Sequence, residues 1–179
     1  MRCVKSFALV ALLLGPCFQA AALPEDSSQP IRIQANTANL DDRRNIAVYT
    51  GDVIVTQGSM RLTGNEVTLT TDAEGDVRKI VSVGSPATFR QTPNPGKGPV
   101  NARARTIEYY AAEERVVLIT NAHLDQDGNT FEGEYVTYNV AEEVVDAGRP
   151  GESAEQPARI EMVIQPRNRK PAAEPASDD

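Results

Sequence analysis

Apolar and polar residues alternate with a period of two along most of this chain. From Ile31 onward the apolar residues form short pairs, such as Ile31 with Ile33 and Val53 with Val55, and each pair would lie on one face of a strand. Turn residues separate the runs, and Gly51-Asp52 is one predicted reversal. No helical spacing occurs after Ala22. The pattern predicts about sixteen short antiparallel strands, typical of an all-β meander, barrel or jelly roll.

The second half of this pattern repeats the first. Aligning the two halves with Leu40 on Tyr109, without a gap, also places Gly64 on Gly133. Identities are few, but apolar positions fall on apolar positions through most of the overlap. We interpret the chain as two stacked copies of one strand module.

A stack of like units leaves an end strand on each side, with unpaired backbone donors and acceptors. The predicted end strands are 31–34 and 159–165. Such edges invite strand addition by another copy or by a partner of the same fold. The alternative is that charge or bulges protect them, as in most β proteins. The candidate edge residues are Ile31, Arg32, Ile33, Ile160, Met162 and Ile164.

The N-terminal segment, residues 1–22, has the pattern of a secretion signal. Arg2 and Lys5 precede an apolar run over residues 7–18, and Ala20 and Ala22 form an A-x-A cleavage pattern. The run is shorter than the roughly 20 apolar residues that span a bilayer. We therefore expect a cleaved signal peptide over residues 1–22 and a secreted mature protein.

Both cysteines, Cys3 and Cys17, lie in this leader, so the mature chain has no thiol for a disulfide. A lipid-attachment signal at Cys17 is a competing interpretation, and Pro16 directly before it disfavours that signal. The remaining length, about 157 residues, predicts one domain over residues 23–165. Residues 166–179 carry prolines and clustered charge without alternation, and we expect them to be disordered.

The net charge and the residue types of the chain offer few candidates for a catalytic, metal or nucleic-acid site. The net charge of −7 argues against nucleic acid as a partner, and removal of the two leader cations makes it about −9. His123 is the only histidine, and alternation places it on a polar strand face. The acid pairs Asp41-Asp42, Glu113-Glu114 and Glu142-Glu143 fall in predicted turns, where solvated acids are common. We expect no enzymatic activity, no cofactor and no metal site.

The predicted inward positions are mostly small or branched. After the leader the chain has two phenylalanines, Phe89 and Phe131, and five tyrosines, beside many Val, Ile, Leu, Ala and Thr residues. A lining of this kind leaves room for a trough that accepts acyl chains. An ordinary close-packed β core has the same composition, so this feature allows both interpretations.

Four segments carry a family resemblance: Q-P-I-R-I at 29–33, Y-T-G-D-V-I-V-T-Q-G at 49–58, G-S-P-A-T-F-R-Q at 84–91 and V-V-L-I-T-N-A at 116–122. With these segments the chain closely resembles the OstA-like family of lipopolysaccharide export proteins over about residues 29–165. The resemblance implies a β jelly roll of sixteen antiparallel strands, V-shaped in section, with an apolar interior groove.

The resemblance also implies a function. A member of this family would bind lipopolysaccharide with the lipid A acyl chains in the groove and form the periplasmic bridge from the inner to the outer membrane. Copies would join head to tail, with LptC at the N-terminal edge and LptD at the C-terminal edge. Two alternatives remain open: a structural head-to-tail β-repeat scaffold without lipid cargo, and a carbohydrate enzyme built on a jelly roll.

Family positions on the lipid path correspond here to Ile31, Ile33, Phe89, Ile107 and Tyr109. With the inward positions of the alternation, the candidate lipid-binding residues are Ile31, Ile33, Leu40, Val48, Val53, Val55, Leu69, Phe89, Ile107, Tyr109, Leu118, Leu124 and Phe131.

One segment departs from the family pattern. Where relatives carry a cation after the strand that ends near Leu69, this chain has Asp72-Ala73-Glu74-Gly75. A phosphate contact there is in doubt. Arg78 and Lys79 are candidates for that phosphate contact. The alternative is that they are solvated side chains without a ligand.

Overall fold

The computed structural model describes residues 26–93, 97–149 and 159–166. The predicted signal peptide and the tail beyond residue 166 lie outside these ranges. The described residues form ten β-strands and two short 3-10 turns, Asp26–Ser28 and Ala111–Glu113. None of them forms a helix long and apolar enough to cross a membrane. The strands are β1 Arg32–Gln34, β2 Thr37–Asp41, β3 Ile46–Gln57, β4 Met60–Thr71, β5 Val77–Gln91, β6 Val100–Tyr110, β7 Arg115–Gln126, β8 Asn129–Asn139, β9 Val144–Ala147 and β10 Glu161–Val163.

All ten strands belong to one antiparallel sheet in the order β1-β3-β4-β5-β6-β7-β8-β10. The short strand β2 pairs with β3 beside β1, and β9 pairs with β8 beside β10. Each side of the sheet therefore ends in two short strands, one at each half of the neighbouring long strand. This all-β antiparallel architecture agrees with the predicted fold class.

Every pairing between the long strands is interrupted near its middle. Registers shift at Thr50/Val53, Thr63/Glu66, Val83/Ala87, Arg103/Thr106 and Ile119/Ala122. Because bulges bend the strands that carry them, this line divides the sheet into two arms. Arm A contains β2, β9 and segments 46–50, 66–71, 77–83, 106–110, 115–119 and 135–139. Arm B contains β1, β10 and segments 53–57, 60–63, 87–91, 100–103, 122–126 and 129–133.

Each arm is thus eight segments wide, which explains why the alternation predicted about sixteen strands where the structure has ten. The chain does not reverse at Gly51-Asp52, as the pattern predicts, but continues through it within β3. Both residues adopt positive φ, 87° and 44°, and the backbone N–H of Asn36 bonds the carbonyls of Thr50 and Gly51. A glycine that suits a tight turn suits a bulge equally well, because both need this conformation.

The two arms pack on each other face to face. Phe89 lies in arm B opposite Ala102 of β6, while Tyr109 lies on the same strand in arm A. Seven residues of extended strand span about 23 Å, yet the ring centroids of Phe89 and Tyr109 are 6.4 Å apart. The sheet must therefore fold along the bulge line. The inner faces of both arms join in one buried apolar core.

The repeat predicted from the sequence has a structural counterpart in this sheet. Leu40 and Tyr109, which the alignment of the two halves superimposes, are both inward residues of arm A. Gly64 and Gly133 both lie at the bulge line. Equivalent positions therefore face the same way in both halves, as two stacked modules require.

Gly84 on the bulge line gives a stability prediction. A Cβ at Gly84 would lie 2.5 Å from the backbone nitrogen of Ala87 and 2.7 Å from the carbonyl carbon of Pro86. Since backbone atoms cannot yield as a side chain can, Gly84→Ala should lower the free energy of unfolding by about 1–3 kcal/mol.

Urea unfolding followed by circular dichroism measures this effect. Gly133→Ala is the matched control, because a Cβ there would meet its nearest atom at 3.8 Å, an ordinary contact. The control should stay close to the unsubstituted protein. Equal losses in the two variants would contradict the close approach at Gly84.

Candidate functional site

Two rows of apolar side chains cross the inner face from one end of the sheet to the other. Within each row, every residue is the cross-strand partner of the next. Row A, in arm A, is Leu40, Ala47, Leu69, Ile80, Tyr109, Val116, Tyr138 and Val145. Row B, in arm B, is Ile33, Val55, Leu62, Phe89, Ala102, Leu124, Phe131 and Met162. Neither row is interrupted by a charged side chain.

The structure brings most of the predicted lipid-binding residues to this inner face. Seven of them are buried between the arms: Val53, Val55, Phe89, Ile107, Tyr109, Leu118 and Leu124. Four are partly buried and pack against the core: Ile31, Ile33, Leu69 and Phe131. Leu40 faces inward, since it pairs with Ala47 in row A, but its side chain is 65% exposed because arm A has no further described strand beyond β2.

The sequence pattern predicts that Val48 faces inward, and the structure contradicts this. Val48 pairs with Asn39 and Thr68 on the outer face, while Ala47 and Tyr49 face the core. A reversal at Gly51-Asp52 would make the residues before it a separate strand with its own alternation. In the structure β3 is continuous and keeps one alternation through its bulge, so the inward set is 47, 49, 53 and 55.

The predicted lipid-binding residues cover half of the two rows. The other half is Ala47, Leu62, Ile80, Ala102, Val116, Tyr138, Val145 and Met162, of which Met162 is predicted only as an edge residue. Alternation with polar neighbours is visible in the sequence for Leu62 and Tyr138, whereas Ala47 lies between two apolar residues. Ala102 also alternates, since it lies between Asn101 and Arg103 in a polar-apolar-polar triplet.

Exposed apolar surface is concentrated at the two ends of the sheet. Among the described residues, the large hydrophobic side chains with high exposure are Leu40, Val83, Val144, Ile160, Met162, Val163 and Ile164. All except Val83 lie on or beside an end strand. Since β1 and β10 have no neighbour on their outer sides within the described part of the chain, backbone groups and apolar side chains are exposed together at these edges.

The N-terminal 3-10 turn closes the tip of arm B with polar contacts. The Gln57 side-chain amide donates to the carbonyls of Ser27 and Gln29, both at 3.0 Å. Asp26 accepts hydrogen bonds from Gln91 Nε2 at 2.9 Å and from the Ser59 backbone at 2.7 Å. Both glutamines are buried, so this turn supplies hydrogen-bond acceptors to their Nε2 groups, while Gln91 Oε1 is buried without a partner among the described residues.

An ion pair joins the tips of the two arms. Lys97 lies in the β5–β6 loop at the tip of arm B, and Glu143 lies in the β8–β9 turn at the tip of arm A. Their side chains form a salt bridge across the mouth between the arms. Since this side of the interior is opposite the bulge line, separating the arms requires breaking that pair.

His123 and one acid of each pair considered for catalysis, Asp41, Glu113 and Glu143, have a side-chain partner. His123 Nδ1 lies 2.6 Å from Glu132 Oε1 across β7 and β8. Asp41 bonds Arg44 and Glu113 bonds Arg115, each at 2.7 Å. Among the described residues, no group of three His, Cys, Asp or Glu side chains could hold a metal ion.

Lys79, one candidate for a phosphate contact, belongs to an outer-face cluster in arm A. Its Nζ lies 2.9 Å from Glu108 Oε1, and the Tyr110 hydroxyl donates to Glu108 Oε2 at 2.7 Å. Burial disfavours both charges, but the hydrogen bond between them prevails, raising the pKa of Lys79 and lowering that of Glu108. The Lys79 charge is therefore already paired, whereas Arg78 is exposed.

Tyr138 in row A gives a pH prediction. Its hydroxyl is buried without a hydrogen-bond partner among the described residues, and burial raises its pKa from 10.0 to about 12. The folded protein then retains a proton that the unfolded chain releases, so stability present below pH 10 is lost as the pH rises toward 12. Tyr138→Phe should be at least as stable at neutral pH and should lose less between pH 10 and 12.

Urea midpoints measured between pH 10 and 12 test this pKa prediction. Tyr109→Phe is the comparison, since burial raises the pKa of Tyr109 to about 12 as well. Identical losses of stability over this pH range in the unsubstituted protein and both variants would contradict the raised pKa of Tyr138.

Together these features define a class of protein: a folded antiparallel β stack with a continuous apolar interior and unpaired strands at both ends of its described part. The family model described as the LptA/(LptD N-terminal domain) LPS transport protein matches residues 32–144. The chain belongs to this family of lipopolysaccharide transport proteins.

Similar proteins agree with this assignment. The chain is 51% identical over 152 residues to the lipopolysaccharide export system protein LptH of Pseudomonas aeruginosa, covering 84% of this chain and 87% of that protein. It is 35% identical over 140 residues to LptA of Escherichia coli K12, covering 78% and 75%. The crystal structure of LptH from Pseudomonas aeruginosa superimposes with a TM-score of 0.72 at 48% identity, covering 80% of this chain and 100% of that one.

Proposed function

We propose that this protein carries lipopolysaccharide through the periplasm from the inner to the outer membrane, holding the acyl chains between its two arms. The observation that carries the proposal is row B, whose apolar side chains run without a polar interruption from Ile33 in β1 to Met162 in β10. Acyl chains need an apolar path that is open at both ends if they are to pass through, and the two end strands leave row B open.

Loading requires the arms to separate, because the interior is filled by its own side chains. Val55, Leu62 and Leu124 in row B are at most 1% exposed. Acyl chains that replace these contacts would regain about 0.8 kcal/mol for each CH₂ removed from water. The Lys97–Glu143 pair joins the two arms at the mouth and must break before they separate. We propose that the mouth opens laterally and the bulge line acts as the hinge.

The end strands supply the connections in this proposal. Within the described residues, β1 and β10 each offer one free backbone edge, beside exposed apolar side chains such as Met162 and Ile164. Strand addition would satisfy both the backbone groups and the apolar surface. We propose that LptC pairs at the N-terminal edge, LptD at the C-terminal edge, and further copies of this chain head to tail between them. Row B would then continue from one copy into the next.

A scaffold that joins head to tail without lipid cargo would use the same edges. Mass spectrometry of lipids that copurify with the protein from the periplasm distinguishes the two functions. The carrier should retain lipopolysaccharide through purification, in near-equal molar amount. Protein that assembles normally but brings no lipid would support the scaffold.

A further inference from the structure

Three arginines lie together on the outer face of arm B. Arg61 in β4 and Arg90 in β5 are direct cross-strand partners. Arg103 in β6 is the partner of Thr88, two residues from Arg90 on the same face. Each arginine alternates with buried inner-face neighbours, so all three side chains point away from the core.

The charge of these arginines is uncompensated within the part of the chain that the structure describes. Like charges directly opposite each other on a sheet are destabilising. Arg61, Arg90 and Arg103 form no ion pair with any residue that the structure describes. Asp125 lies on the same surface, and the cavity beside Arg103 is lined by Glu132, Glu134 and Glu161, but none of these acids forms an ion pair with the three arginines. In a chain with net charge −7, these three arginines without ion-pair partners form a local positively charged surface.

The surface around the arginines is concave and rich in hydrogen-bonding groups. A cavity of about 530 Å³ is lined by Arg61, Arg90, Arg103, Thr88, Asn101, His123 and Asp125, with parts of Phe89 and Ala102. Asn101 Oδ1 accepts from Arg90 Nη1 at 3.0 Å, which orients that guanidinium. Glu132 engages His123 Nδ1, so the ring is held with Nε2 available.

We propose that this cavity, the outer arginine site, binds a phosphate group, either free or on a lipid headgroup. Guanidinium forks match the geometry of phosphate oxygens and bond them in pairs. The Thr88 hydroxyl at the cavity wall is a further donor when Thr63 donates the 2.6 Å hydrogen bond that the two hydroxyls share. A bound phosphate would neutralise the repulsion between Arg61 and Arg90. The site lies on the opposite face of the sheet from rows A and B and does not depend on lipid passage through them.

Nuclear magnetic resonance titration of the full chain with sodium phosphate, against sodium chloride at equal ionic strength, tests the site. Phosphate should shift amide signals near residues 61, 88–90 and 101–103. Arg61→Gln with Arg90→Gln should weaken this binding at least tenfold, and Arg61→Lys with Arg90→Lys should retain part of it. Arg78→Gln is the matched control, since it removes an exposed arginine from arm A, and should bind as the unsubstituted protein does.

A second titration uses lipopolysaccharide before and after phosphatase treatment and follows the same amide signals. Arginine-dependent shifts with inorganic phosphate support the site with free phosphate as a ligand. Shifts seen only with phosphorylated lipopolysaccharide, and lost in the glutamine variant, support a lipid headgroup as the ligand. Responses that are the same in the glutamine variant and in Arg78→Gln, with both ligands, would overturn the proposal.

Discussion

Replacing Ile33 with glutamate should weaken lipopolysaccharide capture at least tenfold while leaving the fold intact. Ile33 is the first member of row B, packs beside Val55 and is only partly buried, so a glutamate there can reach water in the free protein. Acyl chains passing this point would have to cover the carboxylate. Burying an unpaired charge costs several kcal/mol, and about 1.4 kcal/mol already changes affinity tenfold.

Binding of fluorescent lipopolysaccharide measures this loss, with circular dichroism as the check on folding. Arg32→Gln is the matched control, because Arg32 is on the same strand but faces outward, opposite Thr56. The control should bind normally. Unchanged capture by Ile33→Glu would mean that the lipid does not follow row B.

The second large effect is expected at the opposite end. Proline at Met162 removes a backbone donor from β10 and disfavours regular pairing of this strand, so another chain can no longer add to it in register. Each backbone hydrogen bond contributes about 1 kcal/mol net. Losing this bond and one neighbouring bond that regular pairing would have made would weaken the proposed head-to-tail association roughly thirtyfold, since about 1.4 kcal/mol corresponds to tenfold.

Light scattering during size-exclusion chromatography, over a range of protein concentrations, measures this association. Met162→Thr keeps the donor and the strand propensity, and it should assemble far better than the proline variant. Assembly of Met162→Pro at the normal concentration would contradict strand addition through β10.

Local alternation in the sequence predicted the inner face well. A residue such as Phe89 or Leu124 is flanked by polar neighbours, so its direction follows from the pleat alone. The same pattern failed at Val48, where Ala47, Val48 and Tyr49 are all apolar and both alternations are compatible with the sequence. There the direction is set by the continuity of β3 through Gly51-Asp52, which involves bulge geometry and not composition.

Features that depend on pairing between strands distant in sequence could not be predicted from the local pattern of apolar and polar residues. Lys97 and Glu143 are 46 residues apart and meet only because the sheet folds along its bulge line. Arg61 and Arg90 become neighbours through the β4–β5 pairing. Read along the chain, each is an ordinary polar position on a strand. Small and branched inward residues also could not distinguish an empty trough from the packed interior that the structure has.

Site-specific photocrosslinking to lipopolysaccharide in living cells tests the central claim most directly. A photoreactive residue at Ile33 or Phe89, both in row B, should crosslink to the lipid, whereas one at Val48 on the outer face should not. Val48 is informative because its local sequence resembles that of an inward residue. Crosslinks at Ile33 and Phe89 alone are the predicted result. Equal crosslinking from Val48, or none from either row B position, would contradict transport of the acyl chains between the arms.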